Sequence, residues 1–217
     1  MKDKIVIVGG GGHAKVIINT LKKLDNYEIL GYTDIMNKGL LIGVNYLGND
    51  EVLSDIIKEH KNCKAAIGIG GVTISYSRQE IYTMLKEIGF GLPVIISKDA
   101  AISDEVSIGE GTVILEEAVI NVSSDIGKCV IVNNGTVVEH DCIVGDFAHL
   151  APMTRISFGG RIGKNVFIGS GAIIIQNKKV LDNCLIGAGA VVFNDTTIEG
   201  IYLGVPALFV ILNKKAL

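Results

Sequence analysis

The stretch Ile126-Gly127-Lys128-Cys129-Val130-Ile131-Val132-Asn133-Asn134-Gly135-Thr136-Val137-Val138-Glu139-His140-Asp141-Cys142-Ile143-Val144 places an aliphatic side chain at every sixth position. The spacing continues outward on both sides. It starts at Ile102, Ile108, Ile114 and Ile120, and runs on through Leu150, Ile156, Ile162, Ile168, Ile174, Val180, Ile186 and Val192 to Ile198. A period of six fits neither the 3.6 of a helix nor the two of a long strand, but it suits a short strand plus a turn repeated around a solenoid. With three hexapeptides per coil, residues i and i+18 stack. The 102 residues of the ladder (17 × 6) then make about 5.7 coils, a prism roughly 27 Å tall at the ~4.8 Å strand spacing.

Glycine often follows the aliphatic (Gly109, Gly127, Gly145, Gly163, Gly169, Gly187), and small residues recur near the corners. Such a core is aliphatic and packed close to backbone. That explains a chain with no Trp, 6% aromatics and 27 glycines. Val113, Leu115, Val137, Ile143, Phe147, Ile175, Val191 and Phe193 fall at outward positions and need a cover, for which a homo-oligomer is expected, with loops or the tail of the same subunit as the alternative.

Residues 1–96 read differently. A β-branched run, Ile5 to Val8, leads into Gly9-Gly10-Gly11-Gly12, then a helix from about His13 to Leu24 with Val16, Ile17 and Leu21 as its apolar stripe. A strand follows at Glu28 to Thr33, a helix around Glu51 to His60, a strand at Ala65 to Ile69, a helix near Ser75 to Ile88 and a strand at Leu92 to Ile96. Alternating β and α predicts a small parallel sheet. The fold class expected is therefore an α/β N-terminal domain over 1–96 joined to an all-β parallel β-helix over 97–217, with the boundary near Ser97 to Ala101.

Lys and Arg total 20 against 23 Asp and Glu, a net charge of −3, so nothing supplies the basic excess that a nucleic-acid partner requires. No apolar run approaches the ~20 residues needed to span a bilayer, and the N-terminus has no signal-peptide form, so no membrane insertion and a cytoplasmic location are expected. Cys63, Cys129, Cys142 and Cys184 lack C-x-x-C spacing and read as small buried hydrophobes rather than disulfides or a zinc site.

Gly9 to Ala14 has the G-x-G-x-x-[GA] form after a strand and at the opening of a helix, with Asp34 twenty residues beyond Ala14. Glycines let backbone approach a phosphate, and the helix N-terminus offers free N–H groups with a partial positive charge. A single βαβ half suits a nucleotide sugar at least as well as a dinucleotide. In Glu139-His140-Asp141 two acids flank an imidazole. An acid bonded to one ring nitrogen fixes the tautomer and makes the other nitrogen a better base, although adjacent strand residues face opposite ways unless the backbone turns. His149 lies nine residues on, half a coil away, so cooperation with His140 would require a subunit interface. A three-histidine metal site is the competing reading, but the solenoid holds only two histidines, and no metal is expected.

The hexapeptide series, the glycine-His opening, the segment from Val138 to His149 and the closing Gly204-Val205-Pro206-Ala207 together resemble the left-handed β-helix sugar acetyltransferases. The closer similarity is to the bacterial sialic acid O-acetyltransferase and UDP-4-amino-sugar (bacillosamine-pathway) N-acetyltransferase family. The resemblance implies a small Rossmann-like domain on a left-handed β-helix, a homotrimer, and acetyl-CoA bound between neighbouring prisms. By motif it makes His140 the general base and Asp141 the acid that activates it. His149 would touch the thioester from the adjoining subunit, with Ser170 and Ala188 as backbone contacts to the pantetheine arm. Gly11, Gly12, His13, Asp34 and Gly70 would form the nucleotide-sugar site, with Asn133 as a polar helper. Three places depart from the family pattern: Asp34-Ile35 in place of two acids, Met153-Thr154, and Gln176-Asn177-Lys178-Lys179. The activity implied is N-acetylation of a nucleotide-linked amino sugar by direct transfer. O-acetylation of a sugar hydroxyl such as sialic acid is the alternative, and a non-catalytic dinucleotide-binding oligomer a further one.

Overall fold

The computed structural model describes residues 2–210. In the N-terminal part, β1 (Asp3–Val8), α1 (Gly12–Leu24), β2 (Tyr27–Thr33), β3 (Tyr46–Gly48), α2 (Leu53–Glu59), β4 (Lys64–Ile67) and α3 (Ser77–Ile88) follow in chain order. The four strands form one parallel sheet in the order β3-β2-β1-β4. Ile5 to Val8 read as a continuous apolar run because β1 is central and covered on both faces: Ile5 and Ile7 pack with α1, Val6 and Val8 with α2 and α3. The short edge strand β3, with no apolar run of its own, was not foreseen.

From Ile95 onward the chain winds as a three-sided parallel β-helix of two-residue strands. Every pairing within its ladder has the eighteen-residue offset, as in Ile131 with His149 and Val137 with Arg155. The second residue of each strand points inward, so Ile114, Val132, Leu150, Ile168 and Ile186 form one fully buried column. Corners are turned by residues in left-handed backbone, Asp141 (φ 61°), Phe147 (φ 60°) and Met153 (φ 62°) among them.

Two expectations about the ladder need correction. The strand expected at Leu92 to Ile96 is reduced to Ile95–Ile96, which pairs with Val113–Ile114 and not with the small sheet. It is thus the first rung of the prism, one six-residue step before Ile102. At the other end Ile198, the ladder position above Val180, is 57% exposed, while Thr196, bonded to the Lys179 carbonyl and the Leu181 N–H, is buried there instead. On the next side Tyr202 pairs with Ile186 at an offset of sixteen. An antiparallel hairpin, Ile201–Leu203 with Leu208–Val210, closes that side, with Gly204 to Ala207 as its turn. The tail from 211 to 217 lies outside the described residues.

Three of the outward apolar residues are covered within the chain. Val113 and Leu115 are buried in the cluster formed with α1, and Phe147 lies against Tyr82 of α3 with ring centroids 5.7 Å apart. The small domain therefore sits on one side of the prism. Ile143 and Phe193 remain exposed, at 39% and 44%.

Candidate functional site

In the sheet order β3-β2-β1-β4, the order in which strands are added reverses between β1 and β4, and ligands of open parallel sheets bind beyond the strand ends at such a point. The loops that leave those two strands, Gly9 to Gly12 and Gly68 to Val72, face each other there. With Asp34, Lys38, Leu115, Asn133 and His149 they line an open cleft of about 570 Å³. Of the residues expected from sequence, the cleft gathers Gly11, Gly12, His13, Asp34, Gly70, Asn133 and His149. It does not include His140, Asp141, Ser170 or Ala188.

The glycines do different work. A Cβ on Gly10 would meet the Tyr32 ring at 2.7 Å, and one on Gly9, at φ +104°, would meet Ile69 at 2.7 Å, so these two are required by the fold. Nothing lies within 4 Å of a Cβ on Gly11 or Gly12, which leaves bare backbone at the N-terminus of α1 facing the cleft. Asp34 is engaged locally: it accepts hydrogen bonds from the Gly10 N–H at 2.8 Å, the Met36 N–H at 3.1 Å and the Lys38 ammonium at 2.9 Å. Burial alone would raise its pKa, but these donors outweigh it and hold the carboxyl below its ordinary value. The carboxylate thus braces the glycine loop and holds Lys38, a cation that lines the cleft and was not anticipated from the sequence.

His13 and His149 approach each other from the two domains. The Nε2 atoms of both are shut off from solvent without a hydrogen-bond partner. His13 is held neutral, its pKa lowered to about 3 by burial and then by the neighbouring His149 and Arg78. Burial and then Arg78 lower His149 to about 4, against an opposing backbone hydrogen bond at Gly71. His149 belongs to the outward row Ile95, Val113, Ile131, His149, Phe167, and its ring meets Phe167 edge-on at 5.2 Å. That contact follows the eighteen-residue step of the ladder, whereas nothing in the sequence marked Arg78.

His140 sits on another corner of the prism. Its Nδ1 lies 2.6 Å from Asp141 Oδ2. The left-handed backbone of Asp141 bends the carboxylate back onto its neighbour's ring, which an extended strand would not allow. Glu139 points elsewhere and accepts from Asn121 Nδ2 at 3.1 Å. With Nδ1 committed to Asp141, Nε2 is left with the lone pair. Ser170 and Ala188 stack one coil apart on an exposed corner. The space beyond their neighbours Gly171 and Gly189 is open, which fits an extended pantetheine arm. Met153 stands on the same corner, 56% exposed, in place of a glycine. Among the described residues, no group of three His, Cys, Asp or Glu side chains is placed to hold a metal ion, and no helix is long and apolar enough to cross a membrane.

Comparison with known proteins adds independent findings. The family model for the PglD N-terminal domain matches residues 4–85. GDP-perosamine N-acetyltransferase of Escherichia coli O157:H7 is 33% identical over 94 residues, an alignment that takes in 42% of this chain and 41% of that relative. Among solved structures, PerB from Caulobacter crescentus in complex with CoA and GDP-perosamine is 32% identical, with a TM-score of 0.86 over 94% of this chain and 96% of that one. The acetyltransferase domain of PglB from Neisseria gonorrhoeae in complex with acetyl coenzyme A is 31% identical, with a TM-score of 0.88 over 97% of this chain and 100% of that one. Those two match at above 30% identity across nearly their whole length, in both the α/β domain and the left-handed β-helix. The chain belongs to the hexapeptide-repeat sugar N-acetyltransferase family.

Proposed function

We propose that this protein transfers the acetyl group of acetyl-CoA to the amino group of a nucleotide-linked amino sugar of the 4-amino-4,6-dideoxy type. The observation that carries the reading is the cleft itself. There a glycine loop suited to phosphates and the Asp34–Lys38 pair share one space with Asn133 and His149 of the prism. The perosamine relative solved with both CoA and GDP-perosamine supports it and is the reason to try GDP-sugars beside UDP-sugars as acceptors.

In this reading the α/β unit that precedes Ile95 binds the nucleotide sugar and the prism from Ile95 onward carries the acyl transfer. Acetyl-CoA supplies a thioester carbonyl activated for attack. The sugar nitrogen forms the new C–N bond as the C–S bond breaks. His140 Nε2 takes the proton from the amine and passes it to the departing thiolate, while Asp141 keeps the imidazole oriented. Because the dyad lies outside the cleft of its own chain, a complete site requires a second copy. We therefore place the protein in a homotrimer, with the His140 of one subunit facing the cleft of the next. The exposed Ile143 and Phe193 support such packing. A cytoplasmic location is supported by four unpaired buried thiols, the state a reducing compartment maintains.

The test is free-thiol release from acetyl-CoA with UDP-, GDP- and CMP-sugars that offer either an amine or only hydroxyls. Release with a 4-amino sugar is expected. Release only with a sialic acid hydroxyl would establish the O-acetyl reading instead, and saturable NAD binding without acetyl-CoA binding would establish a non-catalytic one. Light scattering that shows a monomer would remove the shared site.

A further inference from the structure

The corner that carries His140 repeats every eighteen residues as Val122, His140, Phe158 and Gln176. The imidazole of His140 and the ring of Phe158 lie parallel, 3° apart in plane with centroids separated by 5.3 Å, the offset stack that aromatic rings favour. Backbone holds the two corners in register, since the Gly159 N–H donates to the His140 carbonyl at 3.0 Å and the Asn177 N–H to the Phe158 carbonyl at 2.9 Å. Phe158 is 42% exposed and belongs to none of the hydrophobic clusters of the fold.

We infer that Phe158 is a positioning residue that holds the His140 imidazole in its working plane, an inference resting on the base role proposed above for His140. The hydrogen bond from Nδ1 to Asp141 fixes one point of the ring but leaves it free to swing about the N···O axis. A flat surface against the ring face removes that freedom, so that two contacts at right angles aim Nε2 in one direction. Within its own subunit His140 is 45% exposed at its side chain and is not enclosed by packing that could do this. Displacing a reacting group by about an ångström costs up to ~10²-fold in rate, so loss of one of two constraints should register in turnover.

The experiment compares Phe158→Leu, Phe158→Tyr and His140→Ala in the thiol-release assay. It adds the imidazole proton shifts of His140 in histidine-labelled protein, which has four histidines in all. Phe158→Leu should lower kcat roughly tenfold with KM for both substrates within about twofold. The melting temperature should be unchanged, and the upfield ring-current shift of the His140 protons should disappear. Phe158→Tyr, which keeps the stacking face, should restore both turnover and shift. Wild-type kcat in Phe158→Leu, a loss confined to KM, or a loss that Phe158→Tyr fails to restore would overturn the inference. Should Phe158→Leu not fold, Phe158→Met is judged by the same readings. Full activity in His140→Ala would instead remove the base assignment. A dead His140→Ala beside an unimpaired Phe158→Leu would refute the role of Phe158 alone.

Discussion

Arg78 of α3 donates to the Cys129 carbonyl across 2.9 Å and also to the carbonyl of Phe147, so a single guanidinium satisfies two prism corners one coil apart. Burial draws its pKa down to about 10. Replacing it with Ala strands both carbonyls in the seam, at a cost of about 2 kcal/mol. For a chain of this size that is a fall of roughly 4–8 °C in melting temperature by scanning calorimetry. A change under 1 °C would show that the seam does not depend on this side chain.

Acid should destabilise the fold through His13 and His149. Their folded pKa values, about 3 and about 4, lie below the 6.5 of free histidine. The unfolded chain therefore takes up protons that the folded chain refuses. The stability is complete above pH ~6.5 and is lost as pH falls towards the folded values, by up to ~1.4 kcal/mol per unit for each histidine. Between pH 6.5 and 5 most carboxylates stay ionised, so urea midpoints there isolate the imidazoles. His149→Asn should roughly halve the slope, and an unaltered slope would contradict the assignment.

The glycine loop should divide into two halves. Gly9→Ala combines left-handed backbone with a clash on Ile69 and should cost more than ~1 kcal/mol of stability. Gly12→Ala meets nothing and lies in α1, so it should leave the fold intact or stabilise it by up to ~1 kcal/mol. Its methyl would stand at the cleft, and KM for the nucleotide sugar should rise. Denaturation and steady-state kinetics on the same two variants separate the effects.

His140→Ala should lower kcat by ~10² to 10⁴ with acetyl-CoA affinity nearly unchanged. Asp141→Asn, which keeps the shape but not the charge, should fall between that variant and wild type. Isothermal titration alongside turnover checks the split, and equal losses in binding and rate would argue for a collapsed corner.

Leu150→Ala removes a fully buried side chain from the middle of the inward column, between Val132 and Ile168. The cost should be about 2–5 kcal/mol, because close-packed coils on either side cannot collapse into the gap. A denaturant midpoint equal to wild type would show the column relaxes.

Much of this was legible in the sequence, for reasons that differ by region. The six-residue ladder registers each side chain against the one eighteen residues on, so the inward column followed from spacing alone. The same step implies the contacts of His149 with Phe167 and of His140 with Phe158, although neither was among the expectations. The glycine loop and Asp34 were found because a phosphate-type turn needs those residues in that order. Val113, Leu115 and Phe147 were visible as outward and apolar, but their cover is α1 and α3, and no local pattern reveals which surface a distant helix will bury. Ile198 kept the period yet left the core, because Thr196 is buried over the Lys179–Val180 strand in its place.

By itself the amino-acid order determined that a three-sided coil would form and that an α/β unit with a phosphate-type turn would precede it, since both rest on short-range periodicity and backbone freedom. Only the tertiary structure decided that Arg78 would bridge two corners, that His13 and His149 would meet as neutral rings, and that Asp141 would curl back onto His140. Those outcomes depend on docking between segments far apart in the chain and on one left-handed residue, neither of which a repeat pattern encodes.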